Sequence, residues 1–184
     1  MQDNVVAIIQ ARMTSTRLPG KILLPLSGAP LLQRMLERVS RITGLDAIWL
    51  AIPAGKDHDP IVDILPAGVK LFRGSETDVL DRTFKAAKQA NATVVMRITS
   101  DCPIIDPTVS GEILTAFKNS PVVYARTALT SGYPHGFDTE VFTMEALASA
   151  HEEATTDDER EHVTPFIWRQ PNRFPALEID LYPD

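Results

Sequence analysis

Cysteine is nearly missing from this 184-residue chain, in which Cys102 stands alone. A single thiol excludes an internal disulfide, and a domain of this length buries a sufficient core without covalent staples. The expected compartment is reducing and cytoplasmic, in keeping with a start where Asp3 and Asn4 interrupt any basic-then-apolar leader. No apolar run approaches the roughly 18 residues of a membrane span. Basic residues are outnumbered, 18 Lys and Arg against 24 Asp and Glu, for a formal charge of -6. That balance argues against general nucleic-acid binding, which calls for a broad basic face. Repeats, low-complexity tracts and Gly/Ser linkers are lacking too, so residues 1–184 are expected to form one domain. Lys21 is followed by Ile22, so Gly20-Lys21 does not complete G-x-x-x-x-G-K-[ST], and no dinucleotide fingerprint occurs.

What is present is concentrated in VVAIIQARMTSTRLPGK, residues 5–21. Val5 to Ile9 form a short apolar run of the kind buried on both faces of a parallel sheet. Gln10 then opens a segment holding Arg12, Arg17, Lys21, three hydroxyls and Gly20. Cations and backbone donors at the carboxyl end of a first strand suit a polyphosphate, because open α/β sheets bind ligands at that edge.

Strand and helix patterns alternate through the rest of the chain. Pro30 stands at the start of a helix with Leu31, Leu32, Met35, Leu36, Val39 and Ile42 at 3-4 spacing, ended by Gly44. Ala47–Ile52 reads as a buried strand. Asp59-Pro60 reads as an N-cap and first helical position before IVDIL, and a strand over 69–72 follows. A helix is expected over 77–90 and a strand over 93–98. Asp106-Pro107 repeats the cap-then-proline signal before a helix with Val109, Ile113, Leu114 and Phe117 inward, and a strand is expected over 122–125. Residues 126–142 read as a loop or hairpin ending in a strand near 139–142. Thr143 caps a further helix, and Thr156-x-x-Glu159 is a capping box opening a last one, which Pro165 should kink. The pattern predicts a three-layer, mostly parallel α/β domain.

The strand over 93–98 ends in RITSDCPIIDP. If it runs parallel to the first strand, Thr99, Ser100 and Asp101 emerge beside the cationic loop. A carboxylate next to a polyphosphate calls for a cation between them, which makes Asp101 the candidate ligand for Mg²⁺. Capping a turn is the structural alternative for Asp101. In HGFDTE, Asp138 and Glu140 fall on one face if the segment is extended, suited either to sugar hydroxyls or to a solvated edge.

Taken in order, AIIQARMTSTRLPGK, RGSETDVLDR, RITSDCPIIDP, HGFDTEVF and EREHVTPFI resemble the sugar-acid cytidylyltransferase family. The likeness is to the branch of spore coat polysaccharide biosynthesis protein F, related to CMP-acylneuraminate and CMP-KDO synthetases. The resemblance implies a GT-A-like nucleotidyltransferase fold and a Mg²⁺-dependent reaction of CTP with a sugar acid, giving CMP-sugar and pyrophosphate for a surface polysaccharide. It assigns the backbone around Ala11 and the side chains of Arg12, Arg17 and Lys21 to the triphosphate, and these cations with Asp101 to catalysis. It places Ser75, Asp78, Arg82 and Thr99 near base and ribose, and Asp101 at the metal. His135, Asp138, Glu140, Glu161 and His162 would line the sugar side. A homodimer is the implied assembly, with residues 126–142 as candidate interface and no nucleic-acid or membrane partner.

The family pattern continues into a segment like R-x-T-V-D that supplies a second metal carboxylate. This chain has EIDLYPD there, with Asp180 or Asp184 as the available substitutes, so the domain is expected to lack the family's C-terminal segment. Two other functions fit parts of the pattern. A glycosyltransferase would use D-x-D for its metal, and Asp57-His58-Asp59 has those letters, although at a helix entrance where capping is expected. The other is a non-catalytic nucleotide-binding module.

Overall fold

Every side chain from Val5 to Ile9 is fully buried, and the two-residue period of a strand sends them alternately into two cores. Val5, Ala7 and Ile9 join one core and Val6 and Ile8 the other, as the central strand of a three-layer domain requires. The computed structural model describes residues 3–15, 17–127 and 132–181.

The elements in chain order are β1 (Val5–Gln10), β2 (Pro25–Leu26), β3 (Ala29–Pro30), α1 (Leu31–Val39), β4 (Ala47–Pro53), α2 (Asp59–Val62) and β5 (Val69–Gly74). Then come α3 (Val79–Gln89), β6 (Val94–Thr99), α4 (Pro107–Lys118), β7 (Tyr124–Thr127), β8 (Glu140–Thr143), α5 (Met144–Glu153), α6 (Asp157–His162), α7 (Pro165–Trp168) and β9 (Ala176–Ile179). Short 3-10 turns cover Lys21–Leu23 and Lys56–His58. The main sheet has the order β5-β4-β1-β6-β8-β7-β9, and β8 is its antiparallel member among the described residues. The small β2–β3 ribbon stands apart from it.

One core receives Leu32, Met35, Leu36 and Val39 of α1 with Ile113, Leu114 and Phe117 of α4. The other receives Leu80, Ala86 and Ala87 of α3 with Leu147 and Ala150 of α5 and Ile167 of α7. From β1 the chain runs outward through β4 to β5, then returns by α3 to β6 on the other side of β1. The loops leaving β1 and β6 therefore emerge side by side at the carboxyl edge of two adjacent parallel strands, the edge at which such sheets bind ligands. Among the described residues no helix is long and apolar enough to cross a membrane.

Capping signals translate directly where the cap residue keeps its side chain for the helix. The Asp106 carboxylate accepts from the amides of Thr108 and Val109, Thr143 accepts from Ala146, and both bonds of the Thr156/Glu159 box form. Asp106→Ala is expected to lower stability by about 1 kcal/mol, measurable by urea unfolding. Asp59 is a correction. It lies inside α2, makes no cap bond and holds Arg73 at 2.5 Å instead. A nearby cation across the β4–β5 pair competes successfully for the carboxylate. The helix ended by Gly44 is shorter than the apolar spacing suggests: α1 stops at Val39, and Gly44, at φ +89°, closes the turns that follow. Several bounds shift by one or two residues, to 79–89, 94–99, 124–127 and 140–143. At the last helix the chain breaks before Pro165, at Val163 with φ +73°, and Pro165 opens the separate helix α7.

Candidate functional site

The loop after β1 is closed at its base by its own backbone. Gly20 occupies φ +68°, where a side chain is disfavoured, and its amide donates to the Met13 carbonyl at 2.9 Å. That closure turns the following 3-10 turn inward, so that Lys21 reaches across to the residues leaving β6. Its Nζ meets Asp101 Oδ2 at 2.6 Å. The in-register pairing of Gln10 with Thr99 brings these two exits together. Burial pushes the Asp101 carboxyl up, but the Lys21 hydrogen bond and charge and the Thr99 hydrogen bond hold it below the usual carboxylate range.

A cleft of about 240 Å³ opens there. Arg12, Arg17 and Lys21 line it from the first loop, Thr99, Ser100 and Asp101 from the end of β6, Arg82 from α3, and Glu161 and His162 from α6. Arg12 lies 3.9 Å from Glu161, and Arg17 is exposed. Thr99 also touches Cys102 Sγ through its hydroxyl at 3.1 Å. Ala11 is present but its amide donates to Ala51 at 3.2 Å, extending the β1–β4 ladder.

The residues expected near base and ribose divide. Arg82 lines the cleft but is 1% exposed, its guanidinium donating to the carbonyls of Ser75 and Glu76. Burial pulls it down to about 10, against the Glu76 charge, so it remains a cation at neutral pH. Ser75 and Asp78 do not line the cleft. Ser75 accepts from the Asp78 amide at 3.0 Å, and Asp78 caps α3 while pairing with Arg160. Both serve the β5–α3 junction, where a cap and an ion pair occupy the Asp78 carboxylate.

A second cleft, of about 350 Å³, shares Arg97, Thr99 and His162 with the first. It is lined further by Arg126, Asp138, Glu140, Asp158, Trp168 and Arg169. Arg126 and Arg169 lie over the Trp168 ring at 5.2 and 4.9 Å. Asp138 precedes the strand instead of lying on it, and its carboxylate accepts from the Gly136 amide at 3.0 Å. His135 borders a third, shallow hollow with Asp138 and Cys102. Glu161 lines the first cleft, where α6 delivers it next to Arg12. His162 reaches both clefts.

Glu140 is held on all sides. It pairs with Arg97 and accepts from the hydroxyls of Tyr124 at 2.5 Å and Thr164 at 2.6 Å. Burial raises its carboxyl, but the Arg97 charge and these three hydrogen bonds outweigh that and keep it low. Arg97 donates also to Gln10 Oε1 at 3.2 Å, and Gln10 in turn donates to Thr83. Arg97 and Gln10 line the first cleft, and the motifs assigned them no role. The signal was available: an arginine inside the buried run Val94-Val95-Met96-Arg97-Ile98 needs a partner and a reason.

The D-x-D letters fall away from both clefts. Asp57 and Asp59 line neither cleft, Asp59 is taken by Arg73, and His58 is 1% exposed. Asp180 follows β9 at the sheet edge and lines neither cleft, and Asp184 lies outside the described residues.

A family profile described as cytidylyltransferase matches residues 6–183. The chain belongs to the cytidylyltransferase family. It is 35% identical over 177 residues to the spore coat polysaccharide biosynthesis protein SpsF of Bacillus subtilis, a match spanning 92% of this chain and 72% of that one. To the 8-amino-3,8-dideoxy-manno-octulosonate cytidylyltransferase of Shewanella woodyi it is 31% identical over 68% of its length, spanning about half (52%) of that relative. Among solved structures, a cytidylyltransferase from Leptospira borgpetersenii superposes with a TM-score of 0.91 at 31% identity, over 100% of this chain and 77% of that one. A CMP:2-keto-3-deoxy-manno-octonic acid synthetase complexed with CTP shares the fold, with a TM-score of 0.73 at 17% identity over 96% and 90% of the two chains. The nucleotidyltransferase fold expected from the motifs is therefore the fold of this chain.

Proposed function

We propose that the protein transfers CMP from CTP to a sugar acid and releases pyrophosphate. The observation that carries this reading is the Lys21–Asp101 contact at 2.6 Å, which joins the cationic loop of β1 and the carboxylate after β6 in one cleft. CTP and sugar-acid chemistry are supported by relatives whose names carry them. Arg12, Arg17 and Lys21 take the triphosphate, and they oppose the charge that builds on the leaving pyrophosphate. The acceptor occupies the second cleft, where Arg126 and Arg169 offer guanidinium groups and Asp138 and His162 offer partners for hydroxyls. Arg97 and Thr99, common to both clefts, lie where the attacked phosphorus and the acceptor hydroxyl meet.

Mg²⁺ suits this donor set. Asp101 is an ionised hard-oxygen ligand beside the hydroxyls of Thr99 and Ser100, and Mg²⁺ needs one or two carboxylates when phosphate oxygens and water complete its shell. Bound there, the metal would neutralise phosphate charge. With Asp101 engaged by the metal, Lys21 would be free to meet the phosphates.

The test is pyrophosphate release from CTP and Mg²⁺ with a panel of sugar acids. Release with at least one acid is expected, and ATP, GTP and UTP should give at least tenfold less, as a roughly 1.4 kcal/mol discrimination implies. CTP binding without release for any acid would overturn the reading.

A further inference from the structure

The imidazole of His58 is buried beneath the cationic loop and contacts it directly. Its Nδ1 accepts from the Met13 amide at 3.1 Å, and its Nε2 meets Glu76 Oε2 at 2.8 Å. The other Glu76 oxygen accepts from the Thr14 hydroxyl at 2.6 Å. Met13 is the residue whose carbonyl receives the Gly20 amide, so His58 fixes one side of the peptide unit pair on which the loop closes. The Glu76 backbone is itself held by buried Arg82. Loops following three neighbouring strands, β1, β4 and β5, are thus tied by one ring and one carboxylate.

A backbone N–H can only donate, so Nδ1 carries no proton and Nε2–H donates to Glu76. The bound form of the ring is neutral. A second proton on the ring would turn the Met13 contact into two donors facing each other, while the Glu76 contact would become a full ion pair.

We infer that His58 is a positioning residue for the triphosphate loop, holding it through the Met13 amide only while the ring is neutral, so that nucleotide affinity falls when His58 is protonated. The inference rests on the proposed triphosphate role of the loop. The charged group in contact with His58 is Glu76 from the β5–α3 loop, and Arg82 of α3 acts in turn on Glu76. The Arg73–Asp59 pair flanks the turn. Protonation strengthens the His58–Glu76 pair as it frees Met13. The loop therefore loosens without the domain unfolding.

Calorimetric titration with CTP, and separately with inorganic tripolyphosphate, tests this at about pH 7.5 and about pH 5.5, on either side of ordinary histidine titration. His58→Asn places an amide oxygen near the Nδ1 position, where it can accept from Met13 at either pH. Glu76→Gln keeps a partner for Nε2 but removes the charge that favours protonation. On acidification the wild type should lose about tenfold more affinity than His58→Asn for both ligands, the scale of one net hydrogen bond. Glu76→Gln should shift the loss to lower pH, and it carries the test if His58→Asn does not fold. The two-ligand comparison separates the failures. Wild-type protein that binds neither ligand overturns the triphosphate reading and this inference together. Binding with parallel pH profiles in wild type and both variants overturns the inference alone.

Discussion

Asp101→Asn should abolish the response of turnover to Mg²⁺ and lower kcat by about a hundredfold or more, the scale seen when one preorganised charge contact is removed. Metal-free CTP binding should move the other way. In the unliganded protein Asp101 neutralises Lys21 at 2.6 Å, so the incoming triphosphate competes with a carboxylate for that ammonium. The amide of Asn cannot hold Lys21 as strongly, and CTP in the presence of a chelator should bind more tightly to the variant than to the wild type. Lys21→Met removes the cation and should weaken CTP binding and slow turnover together. Calorimetry with and without chelator, beside pyrophosphate release, separates these patterns. An Asp101→Asn enzyme with unchanged metal response would remove Asp101 from the metal site.

The same pair has a defined acid limit. The folded-state carboxyl of Asp101 lies below its ordinary value, so the ion pair is complete above the unfolded carboxyl value and is lost as pH falls through the folded one. Turnover that depends on an ionised Asp101 should fall on the acid side of neutrality only in strongly acidic solution. A loss nearer neutrality in the wild type that is absent from His58→Asn would belong to His58.

The placement of this site could be read from the chain because two kinds of signal are local. A wholly apolar run, Val5–Ile9, can only be a strand covered on both sides, and its carboxyl end then carries Arg12, Arg17 and Lys21 to the ligand edge. Asp106, Thr143 and Thr156 announce helices because their caps are satisfied within a few residues. What stayed hidden depends on partners distant in sequence. Asp59 looks like a helix entrance, yet Arg73 decides where its carboxylate goes, and Asp78 caps α3 with one oxygen while the other pairs with Arg160, 82 residues away. His58 lies 45 residues from the amide it receives, in a stretch whose D-x-D letters drew attention to its neighbours instead. The β2–β3 ribbon and β9 have too few residues to show a period.

Arg97→Met is expected to destabilise the folded protein by about 3 kcal/mol or more, because it leaves Glu140 as an unpaired, largely enclosed charge. The pair is 13% and 16% exposed, and two hydroxyls complete the carboxylate's shell, so water cannot readily replace the guanidinium. Glu140→Gln alone keeps acceptors for Tyr124 and Thr164 but strands Arg97, whose Nε already has no partner among the described residues. The double variant Arg97→Met/Glu140→Gln removes both charges and should be more stable than either single one. The pH dependence gives the sharper sign. In the wild type the Glu140 carboxyl is held low, so its contribution is present above the unfolded carboxyl value and declines as pH falls through the folded one. Without Arg97, burial is opposed only by the Thr164 and Tyr124 hydrogen bonds, so the carboxyl rises from its wild-type position. The deficit of the variant relative to wild type should then shrink as pH falls from about 7 to about 4. Urea unfolding across that range measures both curves. Equal slopes would mean that Arg97 does not set the charge state of Glu140, and the wall between the two clefts would then need another source of order.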